Sequence, residues 1–126
     1  MRVEADRTYF EKVDADEVDF PTEPVNRSFV VEKDRATVGR KSASRGIYPD
    51  IDLSGPPTDS GVSHQHAVLV RQVGGAWAIL DPGSTNGTYL NDSPDALPRG
   101  RLIPIVEGDR IHLGAWTTLT VHPASG

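Results

Sequence analysis

From Arg27 onward the chain never sustains a helical hydrophobic period over ten residues; short apolar, often β-branched runs are cut every few residues by Gly, Pro, Asn and Asp. That punctuation constrains the fold more than any other feature. A helix needs apolar residues recurring every three to four positions, whereas a half-buried strand needs only alternation over four to eight. Many short strands joined by frequent turns build an all-β sandwich. Ser28-Phe29-Val30-Val31 reads as a strand that turns at Asp34-Arg35 into Ala36-Thr37-Val38-Gly39, a hairpin ending at Arg40. His66 to Val73 and Ala76 to Leu80 flank Gly74-Gly75 and form the clearest strand pair. Leu102 to Val106, Arg110 to Gly114 and Thr117 to Val121 supply further strands, and alternation in the second of these sends Ile111 and Leu113 inward. Lys41 to Val62 is mostly loop around Ile51-Asp52-Leu53.

The charge is unevenly placed. Of a net −5, residues 1–26 carry eight acids against three bases, while residues 27–126 hold ten of each. Neither part has the basic excess of a general nucleic-acid binder. With 126 residues and no cysteine, a single core is expected, with no disulfide and no thiolate metal site. No stretch is long and apolar enough for a membrane span, and no basic-then-apolar leader follows Met1, so the expectation is a soluble, cytoplasmic protein without membrane or nucleic-acid partners. The expected organisation is an acidic segment or linker over 1–26, the β-sandwich over 27–122 and a tail over 123–126. Within the acidic segment, Thr8 to Val13 reads either as a short helical turn or as a patch packing on the body through Tyr9 and Phe10.

Three loops hold unusual polar sets: Gly39-Arg40-Lys41-Ser42, Gly61-Val62-Ser63-His64-Gln65-His66, and Asp81-Pro82-Gly83-Ser84-Thr85-Asn86-Gly87-Thr88. Taken alone the last is either a hairpin turn or a binding loop. Loops distant in sequence meet at the ends of a sandwich. There Arg40 offers a planar fork of donors suited to phosphate, and Ser63 and Thr85 offer hydroxyls. Asn86, with a donor and an acceptor, suits an extended peptide backbone.

Gly39-Arg40, Ser63-x-x-His66, Ser84-Thr85-Asn86-Gly87-Thr88 with Asn91, and Glu107-Gly108-Asp109-Arg110-Ile111-x-Leu113-Gly114 follow one another in an order and spacing that resembles the forkhead-associated (FHA) domain. The resemblance runs from Arg27 to about His122. It implies a sandwich of two twisted antiparallel sheets that binds phosphothreonine-containing proteins prepared by Ser/Thr kinases, without catalysis and without a cofactor or metal. It further implies that Arg40 and Ser63 contact the phosphate, Thr85 supports it and Asn86 holds the peptide main chain. Gly39, His66 and Gly87 would shape and brace the loops.

Two positions depart from the family pattern. His64 follows Ser63 where the family often has arginine or asparagine, and is read either as a pH-dependent phosphate contact or as a histidine without a role. The loop beyond Arg40 is long, and its Lys41, Arg45 and Tyr48 either extend the positive surface or are simply solvated. Other classes fit less well. A hydrolase built on Ser63, His66 and Asp81 lacks triad spacing and a nucleophile elbow. A metal site from His64 and His66 with His112 or Asp81 lacks a second spaced pair. A phosphate-independent interaction module of the same fold is the remaining alternative. Thr8 and Thr22 in the acidic segment are candidate phosphorylation sites, able to supply a phosphothreonine to the body's own loops or to a second copy, with Thr22 too close to Arg27 to reach the loops of its own chain; an unmodified linker is the plainer reading.

Overall fold

A computed structural model describes residues 1–13, 19–23 and 25–122. Among these the chain forms β1 (Arg2–Ala5), α1 (Arg7–Lys12), β2 (Asn26–Ser28), β3 (Arg35–Gly39), β4 (Ile51–Asp52), β5 (Ala67–Arg71), β6 (Trp77–Leu80), β7 (Thr88–Leu90), β8 (Ile103–Ile105), β9 (Arg110–Leu113) and β10 (Thr117–Thr120). One five-stranded sheet runs β2-β1-β10-β9-β7 and the other β4-β3-β5-β6-β8. Every ladder is antiparallel except β3 with β4, where Val38 and Gly39 pair with Ile51 and Asp52 in parallel. The all-β two-sheet expectation holds, with that one parallel pair as a refinement.

The core lies between the sheets. Val38, Leu69 and Ile79 from one side meet Val3, Ile111, Leu113 and Leu119 from the other, with Trp116 closing the edge, and all are buried. Each such side chain contributes about 1.5–3 kcal/mol over leaving it in water. Ile111 and Leu113 point inward, as their alternation requires.

Three expectations need correcting. First, Phe29, Val30 and Val31 form no strand: β2 pairs with β1, β3 pairs with β5 in the opposite sheet, and the chain between them crosses sheets rather than turning a hairpin. The Phe29 N–H donates to the Met1 carbonyl at 2.8 Å, beside the end of the β1–β2 pairing, and not to β3. Second, β6 and β7 lie in different sheets, so Asp81 to Gly87 is a crossover loop and not a hairpin turn.

The third correction concerns the boundary at residue 26. Arg2–Ala5 is an interior strand, with Val3 opposite Leu119 and Arg27. Asp6 then caps α1 by accepting the Tyr9 N–H at 3.1 Å. Its second oxygen accepts from Thr118 Oγ1 at 3.1 Å and pairs with Arg110. The Tyr9 ring stacks on His112 at 4.7 Å, and its hydroxyl donates to the Gly114 carbonyl at 2.8 Å. The face of β9 that alternation assigns to solvent is thereby covered, which is why His112 is buried. Residues 2–12 are sandwich, not linker. Asp14, Asp16 and Glu17, and the tail over 123–126, lie outside the described residues.

Candidate functional site

The three polar loops converge at one end of the sandwich, and glycine sets how closely. A Cβ on Gly39, the last residue of β3, would stand 1.9 Å from the His64 carbonyl oxygen, so only glycine lets β3 run against the loop that precedes β5. The Arg40 N–H donates to that same carbonyl at 3.2 Å, and Arg40 Nε donates to the Val62 carbonyl. These bonds fix the guanidinium plane. Among the described residues its two terminal nitrogens make no hydrogen bond or ion pair, leaving them free for a ligand.

His66 joins the loops. Fully buried, it accepts the Ser63 N–H on Nδ1 at 3.0 Å and bonds the Gly87 carbonyl through Nε2 at 2.9 Å. A carbonyl can only accept, so the proton sits on Nε2 and the ring is neutral. Burial lowers the imidazole pKa below its ordinary value, against opposing pulls from the Gly87 carbonyl, Asp81 and Asp59. Because Nδ1 takes the Ser63 backbone N–H and not its hydroxyl, these residues form no nucleophile–base pair of the kind a hydrolase needs. The Ser63 hydroxyl instead accepts the Thr85 N–H at 3.0 Å, clasping two loops. Asn86, an exposed residue, donates from Nδ2 to the Gly61 carbonyl at 2.8 Å.

Beneath the surface two carboxylates hold the frame. Asp81, only 1% exposed, accepts from the Gly83 and Ser84 N–H groups and from the Ser84 and Thr88 hydroxyls, at 2.6–2.9 Å. Burial alone would raise its pKa, but the Ser84, Gly83 and Thr88 hydrogen bonds outweigh it and the carboxyl stays below its usual range. Asp59, equally buried, accepts the N–H groups of Gly61, Ala115, Trp116 and Thr117 and the Thr117 hydroxyl. It ties the Ser63 loop to the β9–β10 turn. Asp59 escaped the sequence reading, and Asp81 entered it as the first residue of a polar loop and in the hydrolase and metal alternatives, not as a brace of that loop. Asp followed by Ser or Gly within three residues, a local turn signature, is the signal each left in the sequence.

His64 is half-buried, with Nδ1 3.4 Å from Arg45 Nη1. Desolvation first, then the positive charges of Arg40 and Arg45, lowers its pKa. The long loop therefore folds Arg45 back onto the site. Lys41 lies instead over the Tyr48 ring, at 5.8 Å. Thr8 is exposed on α1, and Thr22 is exposed in the 19–23 segment. Among the described residues no three His, Asp or Glu side chains converge in a metal-holding cluster, and both His66 nitrogens are taken.

The model of one protein family, the FHA domain, matches residues 36–114, most of the chain and all three loops. The chain belongs to the FHA domain family. FraH of Nostoc sp. is 47% identical over 76 residues, covering 59% of this chain and 25% of FraH. The chain thus spans a quarter of the length of that relative. Among solved structures, the FHA domain of an Arabidopsis thaliana hypothetical protein is 30% identical with a TM-score of 0.58, over 82% of this chain and 80% of the other. The FhaA FHA domain, solved in complex with the intracellular domain of Rv3910, is 28% identical with a TM-score of 0.54, over 74% and 86%. No helix among the described residues is long and apolar enough to cross a membrane. The family match begins at Ala36, so β1, α1 and β2 lie outside it.

Proposed function

We propose that this FHA domain binds phosphothreonine-containing segments of partner proteins in Ser/Thr kinase signalling, and does so without catalysis. The observation that carries the reading is the Arg40 guanidinium, oriented through Nε and with its terminal nitrogens unpaired among the described residues, beside the Ser63–Thr85 clasp. A cation held in place and left without a counter-ion is a site prepared for an anion. Charge-assisted hydrogen bonds from Arg40 and from the Ser63 and Thr85 hydroxyls form only when the phosphate is present, which is the basis of discrimination against unmodified threonine. Asn86 then holds the peptide main chain through its side-chain oxygen and second N–H. His64 adds a contact that strengthens on protonation. The preference for threonine over serine, and the supply of the ligand by a Ser/Thr kinase, rest on the family resemblance alone. Support for a protein partner comes from the FhaA relative, solved with another protein's intracellular domain.

A phosphate on Thr8 would compete for the same loops within one chain or between two copies, and one on Thr22, too close to Arg27 to reach them in its own chain, between copies. An unchanged affinity for external peptide after kinase treatment would remove that extension. The reading itself is tested by calorimetric titration with a phosphothreonine peptide, its unphosphorylated twin and the Arg40→Ala variant.

A further inference from the structure

The phosphate loops occupy the end of the sandwich where β3 and β6 finish and β5 begins. The opposite end, where β5 finishes at Arg71 and β6 and β1 begin at Trp77 and Arg2, holds a cleft of about 710 Å³ between the two sheets. Leu69 and Ile105, both buried, and the half-buried Trp77 lie at its depth. Its polar lining is limited to Arg2, Ser28, Glu107 and His122. Of the five large apolar side chains exposed among the described residues, three crowd this end. Val30, 77% exposed, and Val106, 67% exposed, line the cleft, and Val73 stands on the β5–β6 turn whose Gly75 and Ala76 line it too. Exposed apolar side chains gathered in this way mark an interaction surface.

We propose that this end is the contact surface between two copies of the chain, packed about a two-fold axis with their phosphate loops pointing outward. Shape and charge both choose a second copy as the occupant. The patch holds the two halves of a self-complementary contact, an apolar hollow and projecting valines beside it, so a two-fold axis seats Val30 or Val106 of each copy in the hollow of the other. Arg2, on β1 of one sheet, and Glu107, just after β8 of the other, line that same hollow with opposite charges. The two-fold axis brings Arg2 of each copy toward Glu107 of the other, where rims of a single sign would repel. Glu107 makes no ion pair among the described residues, and Arg2 meets only the half-exposed Glu4 of its own strand, at 3.1 Å. The patch is smaller than the about 20–30 residues a side of a standard interface, so the dimer is weak, with a Kd on the order of 10–100 μM. It leaves Arg40, Ser63, Thr85 and Asn86 open on both copies. On the phosphopeptide reading above, such a dimer holds a partner with clustered phosphothreonines through two sites at once.

Sedimentation equilibrium of the purified chain without any phosphopeptide, from about 5 to about 500 μM, tests the contact. The expected result is a monomer–dimer equilibrium with its Kd inside that range. Val30→Asp and Val106→Asp each place two carboxylates in the apolar contact of every dimer and should weaken association by about tenfold or more. Both side chains are exposed, so each variant should melt within about 2 °C of wild type. Glu107→Arg should weaken association by roughly threefold to tenfold, and adding Arg2→Glu to it should restore the dimer. A monomer at every concentration, or a dimer indifferent to both valine substitutions, overturns the proposal. Amide shifts of the wild type between dilute and concentrated samples give a readout free of any variant. Val30, Ala76 and Val106 should move while Ser63 and Thr85 stand still, and the reverse pattern would put the contact at the loops and overturn it. Titration of wild type and Val30→Asp with one phosphothreonine peptide separates the two readings. Equal affinity per site is expected, and peptide binding lost on dimerisation would contradict outward loops. A chain that dimerises as described yet binds no phosphopeptide would overturn the phosphopeptide reading alone.

Discussion

Replacing His66 with alanine removes a fully buried side chain that bonds two of the three loops at once. Two hydrogen bonds go, Ser63 N–H to Nδ1 and Nε2–H to the Gly87 carbonyl, at 3.0 and 2.9 Å. At about 1 kcal/mol each, with a further ~1–2 kcal/mol for the space left by a fully buried ring, the loss is about 3–4 kcal/mol. For a domain of this size that corresponds to a melting temperature lower by roughly 10–15 °C, read by thermal unfolding. The loss also has a pH signature. Burial depresses the folded-state pKa of His66, so the unfolded chain takes up its proton first as pH falls. The stability that His66 contributes as a neutral ring is therefore complete above about pH 6.5 and declines from there toward the lowered folded value. The gap between wild type and variant should narrow as pH drops through that window. His112, lowered chiefly by its own burial, keeps a similar slope in both proteins. A melting temperature within about 2 °C of wild type, or a gap that does not change with pH, would refute the bracing role.

Other outcomes follow from the same geometry. Asp59→Asn keeps the shape but turns an amide N–H toward donors that need an acceptor; urea unfolding should show a loss of about 3 kcal/mol or more, and a loss under about 1 would contradict the anchoring role. Tyr9→Phe deletes only the bond to the Gly114 carbonyl and should cost about 1 kcal/mol, with hydrogen exchange faster along β1 if the N-terminal segment is bound as described. For His64, held low by desolvation, Arg40 and Arg45, a bound phosphate reverses the local field. The affinity ratio of wild type to His64→Ala should therefore rise as pH falls from about 7.5 to about 6.5, and a flat ratio would leave His64 outside the contact.

What the sequence makes legible is what short segments decide by themselves. The β5–β6 pair announces itself through Gly74-Gly75, and β9 through the alternation of Ile111 and Leu113. The polar loops can be read as words because each keeps its chemistry within a few residues, as Ser63 and His66 do. Residues 2–12 are opaque for the opposite reason. β1 has Val3 as its one fully buried residue, and of its two partner strands β10 lies over a hundred residues away and β2 follows a segment with no turn signature of a hairpin, so nothing local selects its pairing. α1 spans six residues with Tyr9 alone buried, too few for a period. The acidity that suggested a linker is partly an ion pair seen from one side, since Asp6 is the counter-ion of Arg110. Phe29 to Val31 misled in the other direction: Phe29 and Val31 pack against the core while Val30 is exposed, and none belongs to a strand.

The central claim is that Arg40, positioned through Nε and with its terminal nitrogens unpaired among the described residues, makes this end of the sandwich a phosphate reader. Its most direct test is titration of the purified domain with a degenerate phosphothreonine peptide library, beside the unphosphorylated library and the Arg40→Ala variant. The account predicts binding that requires phosphate and weakens by about 2–3 kcal/mol in the variant, the worth of hydrogen bonds to a charged group. Equal affinity for both libraries, or binding untouched by Arg40→Ala, would contradict it and make this FHA domain a phosphate-independent interaction surface.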